Sequence, residues 1–310
     1  MVEQAVHSTS IPAPIDLVYE LIADVTRWPV IFAPIVHVEQ LERSPSEELF
    51  QTWALVNGTV KTWTSRRTFD PVRSEITFQQ QVSQPPIASM GGSWRFLAEP
   101  DGGTAVELYH HFSAVDDDPQ ALDWIRGALD NNSNAELAGL RKAATAGAAA
   151  ELELRFSDEV HIDAPAELAY RFIDEADQWP NRLPHVEAVE LSVDESGAQH
   201  MTMETLAPDG SRHTTSSVRI RRPDSIVYKQ IRRPALLTCH LGRWIFTDTE
   251  VSAEHTVVID PDAVERVLGA GKTIADARTF ARNALGGHSM ITLRHAKDFA
   301  ELGAANRSGG

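Results

Sequence analysis

The chain has 310 residues, of which 42% are hydrophobic and 23% are charged, a composition typical of a globular protein rather than a disordered one. Its length exceeds the usual size of one compact core, so two domains are the first expectation. A formal net charge of -16 disfavours nucleic acid and anionic membrane surfaces as partners, because both bind clustered Lys and Arg.

No targeting or membrane segment is expected. The N-terminal residues lack the apolar core of a signal peptide, and no stretch reaches the roughly 18 apolar residues of a membrane span. Cys239 is the only cysteine, so the chain cannot form an internal disulfide. We therefore predict a cytoplasmic protein.

An internal repeat organises the chain. The segment Ile11–Pro29 aligns without gaps on Ile162–Pro180, and both contain Ala-Pro near the start and Trp-Pro at the end. The register continues downstream, where Arg67 matches Arg219. A spacing of about 150 residues is too long for a solenoid unit and indicates a duplicated domain.

Each copy is predicted to contain a strand, a short helix, several strands and a long helix. In the first copy, Pro14 suits a first helical turn and an apolar stripe follows it. Alternating segments with turn signals such as Asn57-Gly58 indicate an antiparallel meander. A long helix is expected after Pro119. We predict one domain over residues 1–150 and a second over 151–310.

These elements predict an α+β fold with two tandem domains, each a curved antiparallel sheet wrapped around a long C-terminal helix. A twisted sheet and a straight helix cannot touch along their whole length, so an internal cavity is expected between them. The alanine-rich stretch 143–150 is predicted to end the first long helix and lead into the second domain.

The strand Lys61–Phe69 carries the most information about chemistry. Because side chains alternate between faces, Trp63, Ser65 and Arg67 share one face, which we expect to point inward. Arg67 would then bring a permanent charge into a partly apolar cavity and would need an acceptor. That acceptor is either a substrate oxygen or a buried carboxylate; alternatively the side chain snorkels to water.

The apolar stripe of the first long helix is interrupted around Asp130, Ser133 and Asn134. These residues either add polar groups to the cavity or lie at the solvated edge of the helix, and the sequence favours the second interpretation. In the second copy, the alignment places Ser217 and Arg219 inward. Apolarity instead favours Val218 and Ile220 there. We follow the alignment, which makes Val218 and Ile220 outward residues that are candidates for contact with the other domain.

Histidines of the second copy are candidate acids or bases near neutral pH, namely His185, His213 and His240. A lone histidine at such a position is more often structural. No HExxH or paired CxxC motif occurs, and the adjacent His110 and His111 point to opposite strand faces, so no metal site is predicted. No cofactor is expected.

Both copies resemble the polyketide aromatase/cyclase family of bacterial type II synthases, within the START and Bet v 1-like helix-grip superfamily. The resemblance covers essentially the whole chain, and the duplication is similar to the didomain subclass. It implies that the two domains are helix-grip domains. The residues that carry it are Ala13-Pro14, Trp28-Pro29, Asn57-Gly58, the Trp63-x-Ser65-x-Arg67 strand, Met90–Trp94 and the closing helix.

The resemblance also implies site residues. Catalysis is expected of Arg67 and, in the second copy, of Arg219, and we add His240 as a candidate from the sequence. An asparagine of the family's closing helix falls near Asp130 and on Asn283. The predicted substrate-binding residues are Trp28, Trp63, Ser65, Met90, Trp94, Asp130, Asn134, His185, Ser217 and Asn283.

The implied activity is that of an enzyme that binds a poly-β-ketone carried by an acyl carrier protein. It would close the first ring by an aldol reaction, between the seventh and twelfth carbons as in didomain relatives, and then dehydrate and aromatise it. The arginine would stabilise the enolate while the cavity fixes one fold of the chain. Other type II synthase subunits are implied partners. A non-catalytic START-like ligand-binding or transfer protein is the main alternative, and a pair of structural docking modules is another.

Overall fold

A computed structural model describes residues 2–145, 149–206, 210 and 212–308. The chain divides into two compact units, Met1–Gly147 and Ala148–Gly310. Residues 146–148 of the predicted junction lie outside the described residues, so the boundary at residue 150 stays a prediction. In the described part of the chain, no helix combines the length and the apolarity that crossing a bilayer requires.

The first unit is one antiparallel sheet with helices. The strands lie in the order β1-β7-β6-β5-β4-β3-β2. They are β1 (Glu3–Ile11), β2 (Ile35–Arg43), β3 (Glu47–Val56), β4 (Thr59–Asp70), β5 (Glu75–Val82), β6 (Ile87–Ala98) and β7 (Thr104–Ala114). The helices are α1 (Ile15–Ala23), the short α2 (Trp28–Ile31) and the long α3 (Pro119–Thr145).

The core of the first unit lies between α3 and one face of the sheet. Burial alternates along β7, as expected of a strand with one face turned to the core. The buried apolar residues of α3 recur at helical spacing and include Ile125, Leu129, Leu137 and Leu140. Sheet and helix therefore enclose a common interior, as the periodicities predict.

The second unit repeats this arrangement, with strand order β8-β14-β13-β12-β11-β10-β9. Its strands are β8 (Glu153–His161), β9 (Val186–Val193), β10 (Gln199–Leu206), β11 (Arg212–Arg221), β12 (Ser225–Arg232), β13 (Leu237–Phe246) and β14 (Glu250–Ile259). Its helices are α4 (Ala149–Leu152), α5 (Ala166–Asp174), α6 (Trp179–Arg182), α7 (Val264–Leu268) and α8 (Ile274–Ser308).

Strand register extends the sequence repeat to individual residues. In the first unit Glu48 of β3 lies opposite Arg67 of β4, and in the second unit Gln199 of β10 lies opposite Arg219 of β11. The two arginines therefore correspond in the strand pairing as well as in the sequence alignment. Because Arg219 occupies the Arg67 position, the alignment gave the correct inward face for this strand.

Candidate functional site

The first unit contains a cavity of about 160 Å³ between α3 and the sheet, which confirms the predicted cavity there. Its walls combine aromatic, aliphatic and polar side chains. Exposed side chains at its rim include Gln84, Pro85 and Trp124. The aromatic lining is Trp28, Phe32, Phe50, Trp63, Phe78 and Trp94, and the polar lining includes Ser65, Arg67, Gln80, His110, Asn132, Ser133 and Glu136.

The Trp-Pro segment after α1 supplies part of the aromatic wall. The indole N–H of Trp28 donates to the carbonyl of Ile22 at 3.2 Å, which fixes the ring beside the end of α1. Trp28 meets Phe32 and Phe50 edge to face at centroid distances of 5.6 and 5.4 Å. Edge-to-face contacts of this kind hold aromatic rings in defined orientations. The wall is therefore rigid at this end.

Arg67 lies on the inward face of β4, as predicted, and is 2% exposed. Its Nε donates to the Glu48 carboxylate at 2.5 Å. Its Nη1 donates to the Ile22 carbonyl at 2.7 Å, and its Nη2 donates to the Ala23 carbonyl at 2.5 Å. Of the two acceptors considered from the sequence, the structure therefore provides the buried carboxylate.

These contacts tie the end of α1 to the sheet. The last carbonyls of a helix lack intrahelical donors and carry partial negative charge, so a guanidinium satisfies them well. Burial lowers the pKa of Arg67 to about 10, although Glu48 opposes that shift, and the side chain stays charged at neutral pH. Arg67 thus positions the α1 end of the cavity, and its part in catalysis stays a prediction.

Five predicted binding residues of the first unit come together in the cavity lining: Trp28, Trp63, Ser65, Met90 and Trp94. Asp130 and Asn134 do not line this cavity, and their part in substrate binding stays a prediction. Asp130 is 57% exposed and contacts His7 at 2.9 Å, while Asn134 donates to the Asp130 carbonyl at 2.7 Å. Both residues are exposed, which agrees with the helix-edge interpretation.

Two titratable side chains of the cavity were missed from the sequence. Glu136 of α3 has no hydrogen bond or ion pair with any residue that the structure describes, and burial raises its pKa to about 7. His110 of β7 is 7% exposed, and burial lowers its pKa to about 4. Glu136 follows Ser133 by three residues, so the helical spacing Leu129, Ser133, Glu136, Leu140 was the signal that could have revealed it.

In the second unit, Arg219 is 1% exposed, and no carboxylate among the described residues forms an ion pair with it. Its Nη2 donates to the Ile173 carbonyl at 2.5 Å, and Nη1 lies 3.9 Å from the Met201 sulfur. Burial lowers the pKa of Arg219 to about 10. Gln199 stands at the Glu48 position and donates instead to Asp174 at 3.0 Å. The two arginines therefore share a position and differ in electrostatic surroundings.

His240 belongs to a buried chain of polar groups and is not a lone histidine. Its Nε2 lies 3.0 Å from His255 Nδ1, and His255 Nε2 lies 2.7 Å from the Ser289 hydroxyl. The Tyr228 hydroxyl lies 3.5 Å from His255 Nδ1. Burial, followed by the charge of His255, holds the pKa of His240 well below its usual value. The chain is therefore neutral at physiological pH.

The remaining candidates of the second unit are dispersed. His185 stacks on His288 at 4.9 Å, and burial lowers its pKa to about 4. Ser217 is buried, and its hydroxyl has no hydrogen-bond partner in the described part of the chain. Asn283 and His213 are exposed.

Val218 and Ile220 lie on the strand face opposite Arg219, and both are buried. Their predicted contact with the other domain stays a prediction. Among the described residues, no three His, Cys, Asp or Glu side chains are grouped as metal ligands.

The comparisons with known proteins agree with this architecture. The sequence profile described as polyketide cyclase/dehydrase and lipid transport matches residues 11–128 and 162–281. The actinorhodin polyketide synthase bifunctional cyclase/dehydratase of Streptomyces coelicolor is 50% identical over 305 residues, covering 94% of this chain and 95% of that protein. The granaticin counterpart of Streptomyces violaceoruber is 43% identical, covering 97% and 95%.

A solved structure extends this agreement to three dimensions. The crystal structure of the di-domain ARO/CYC BexL, from the BE-7585A biosynthetic pathway, matches with a TM-score of 0.87 and 46% identity. The match covers 96% of this chain and 99% of that one. The predicted fold of two tandem sheet-and-helix domains is confirmed.

Proposed function

Because the chain belongs to the polyketide cyclase/dehydrase and lipid transport family, we propose that its first-unit cavity closes and dehydrates the first ring of a poly-β-ketone. The chain is an enzyme of polyketide cyclisation, like its bifunctional cyclase/dehydratase relatives. The finer proposal is that the substrate is tethered to an acyl carrier protein and that the new bond joins its seventh and twelfth carbons.

The size of the cavity carries this proposal. At about 160 Å³ it is close to an apolar cavity of about 150 Å³, engineered in another protein, that binds benzene. Sites that enclose whole drug-sized ligands are larger, about 300–1,000 Å³. The first-unit cavity therefore suits one folded ring, and the rest of a long chain would extend past the rim residues Gln84, Pro85 and Trp124.

The walls suit a ring-closing reaction. An intramolecular aldol reaction needs one carbon nucleophile held against one carbonyl, and fixed geometry contributes strongly to the rate of such steps. Rigid aromatic faces exclude water and restrict how the chain folds, which would select the carbons that join. The aromatic cluster around Trp28 supports this role because its rings are locked by mutual contacts.

Arg67 supports the proposal because its charged guanidinium is a hydrogen-bond donor at the cavity wall. A guanidinium has five N–H donors, and three are used by Glu48, Ile22 and Ala23. With respect to the residues that the structure describes, two N–H groups remain for a ketone oxygen at the cavity wall. A preorganised donor at that point would stabilise the enolate as the ring closes. The acyl carrier protein and other synthase subunits are the proposed partners.

Reconstitution with a synthase that makes an unreduced or ketoreduced chain tests the function. The wild-type protein should change which ring forms, whereas an inert ligand carrier should change only the yield. Ser65→Leu narrows the cavity and should abolish the selected ring. Thr68→Leu is the matched control, because Thr68 lies exposed on the same strand. Identical products with and without the protein would refute the proposal.

A further inference from the structure

We propose that the loop joining β12 to β13 in the second unit is the surface on which the carrier protein docks. This inference rests on the proposed function, because it assigns a binding surface to the carrier protein proposed there. Residues 231–235, which we call the arginine loop, read Ile-Arg-Arg-Pro-Ala, and all five are exposed. Arg232 ends β12, and Arg233 is the first residue after it. The loop therefore presents two adjacent guanidinium groups to its surroundings.

The charge of this loop stands out in an acidic chain. The segment 212–246 holds eight Lys and Arg residues and a single carboxylate, although the formal net charge of the whole chain is -16. Half of these cations are already used, because Arg219 and Lys229 are buried and Arg212 and Arg221 form ion pairs. Neither arginine of the loop has an ion-pair partner among the residues that the structure describes. Their charge is therefore available to a partner.

The loop holds one of its two guanidinium groups in place. Arg233 Nε donates to the Leu237 carbonyl at 2.9 Å, and its Nη1 donates to the Ile231 carbonyl at 3.5 Å. These bonds use two of the five N–H groups of a guanidinium. A guanidinium that is fixed in this way loses less side-chain freedom on binding, and its planar fork matches a carboxylate. Arg233 is therefore suited to an acidic side chain of another protein.

The repeat shows that the charge belongs to the second unit alone. Arg232 pairs with Ser216 in the same register as Val82 pairs with Thr64 in the first unit. The turn that follows has the same backbone hydrogen bond in both units. In the first unit this loop continues to Gln84 at the rim of the cavity. A neutral rim loop in one unit thus corresponds to a doubly charged loop in the other.

The partner that fits this surface is a protein with an acidic face. Complementary charge steers such a partner to the loop, while the negative charge of the rest of the chain disfavours other orientations. Ile231 is 45% exposed beside the two arginines and adds an apolar contact. Arginine next to apolar surface is typical of protein interfaces. An anionic membrane is recognised by clusters of about four to eight cations, more than this loop contains.

The test is the double variant Arg232→Glu, Arg233→Glu in the full chain. Surface plasmon resonance measures its affinity for the carrier protein of the reconstituted synthase, loaded with its prosthetic arm, at low and at high ionic strength. We expect Kd to rise about tenfold or more at low ionic strength, and the difference to shrink as salt screens the charges. Lysine at both positions should keep most of the affinity. With carrier-bound substrate, kcat/KM should fall while kcat and the ring formed stay unchanged.

A matched control is Arg243→Glu combined with Arg294→Glu. Both residues are exposed arginines of the second unit outside the loop, on β13 and α8, so the net charge changes equally. An equal loss of affinity in this control would overturn the inference, because net charge alone would then explain the effect. Ser83→Glu introduces a negative charge into the corresponding loop of the first unit. Loss of affinity there, with the arginine-loop variant unaffected, would move docking to the first unit and overturn the inference too.

The remaining outcomes separate this inference from the proposed function. Wild-type carrier affinity in the Arg232→Glu, Arg233→Glu variant would overturn the inference and leave the proposed function standing. Binding of the wild-type protein to vesicles of anionic lipid, abolished in that variant and without binding of the carrier protein, would overturn it in favour of a membrane. A wild-type protein without influence on the ring would instead refute the proposed function.

Discussion

Arg67 donates to the Glu48 carboxylate at 2.5 Å inside the first unit, and both side chains are at most 2% exposed. At the same strand positions in the second unit, Arg219 lies opposite the neutral Gln199. The first unit thus has a buried ion pair at the position where the second unit has a buried cation beside a neutral side chain. Comparing the same substitution in the two units therefore measures what the Glu48 carboxylate contributes to stability.

Arg67→Met should destabilise the first unit by about 3 kcal/mol, the lower end for a broken buried ion pair, because the part-exposed Arg43 still lies 3.1 Å from the Glu48 carboxylate. Adding Glu48→Gln should recover most of that loss, since no uncompensated charge then remains. Urea unfolding of the single and double variants measures both values. A single variant no less stable than the double one would contradict this account. Loss of activity in Arg67→Met alone is consequently not evidence of a catalytic role.

Arg219→Met should alter the free energy of unfolding by no more than about 1 kcal/mol. Its strongest hydrogen bond is to the Ile173 carbonyl, and removal of the cation leaves no hydrogen-bonded carboxylate behind. The loss of one hydrogen bond is offset by the loss of a buried charge. The same urea titration gives the value, and a cost as large as that of Arg67→Met would show that Asp174 acts as its counter-ion.

Alternation along β4 and the repeat were enough to predict the inward face of Trp63, Ser65 and Arg67, because both are local properties of the chain. Glu48 could not be predicted as the partner. Its place opposite Arg67 depends on the register of two strands, and the other acceptors come from the end of α1. Hydrogen-bonding groups brought together from three elements leave no periodic signal in a sequence.

The long helix α3 shows what an apolar pattern in the sequence cannot resolve. Its buried stripe was predicted from the apolar residues, but that pattern cannot tell a polar residue that faces the cavity from one at the helix edge. Asp130 and Glu136 illustrate the point, because only the second lines the cavity. His240 was similarly visible only as an isolated histidine, since its neighbour His255 comes from the adjacent strand.

Glu136→Gln should change how stability depends on pH. The folded-state pKa of Glu136 is about 7, above the value of 4.5 for an unperturbed glutamate, so its contribution to stability is present below pH 4.5 and lost as pH rises through 7. The variant should equal the wild type near pH 4 and exceed it by up to about 3 kcal/mol at pH 8. Denaturant titrations across this pH range measure the difference in unfolding free energy between the two proteins. A difference that does not change with pH would contradict the prediction.

The buried histidine chain of the second unit should make the protein sensitive to acid. Burial lowers the pKa of His255 to about 4, so the stability it contributes is present above pH 6.5 and lost as pH falls towards 4. His255→Asn should flatten the unfolding free energy between pH 6.5 and 4, by up to about 3 kcal/mol. Equal slopes in both proteins would contradict this. The groups that face His255 are His240, Tyr228, Ser289, Asp158 and Arg282.

Trp63→Thr tests the link between cavity size and product, because it gives the first unit the residue that the second unit has at position 215. Removing the indole enlarges a cavity that now suits one ring, so the enclosed chain can fold in more than one way. A misplacement of about 1 Å can cost about 10²-fold in rate, and we expect slower formation of the usual ring together with rings closed at other carbons.

Product profiles from the reconstituted synthase measure this, with Thr215→Ala as the control in the second unit. If ring formation belongs to the first cavity, the control should leave the products unchanged. A single unchanged product from Trp63→Thr would mean that the wall of the cavity does not select the ring. Altered products from Thr215→Ala would place part of that selection in the second unit.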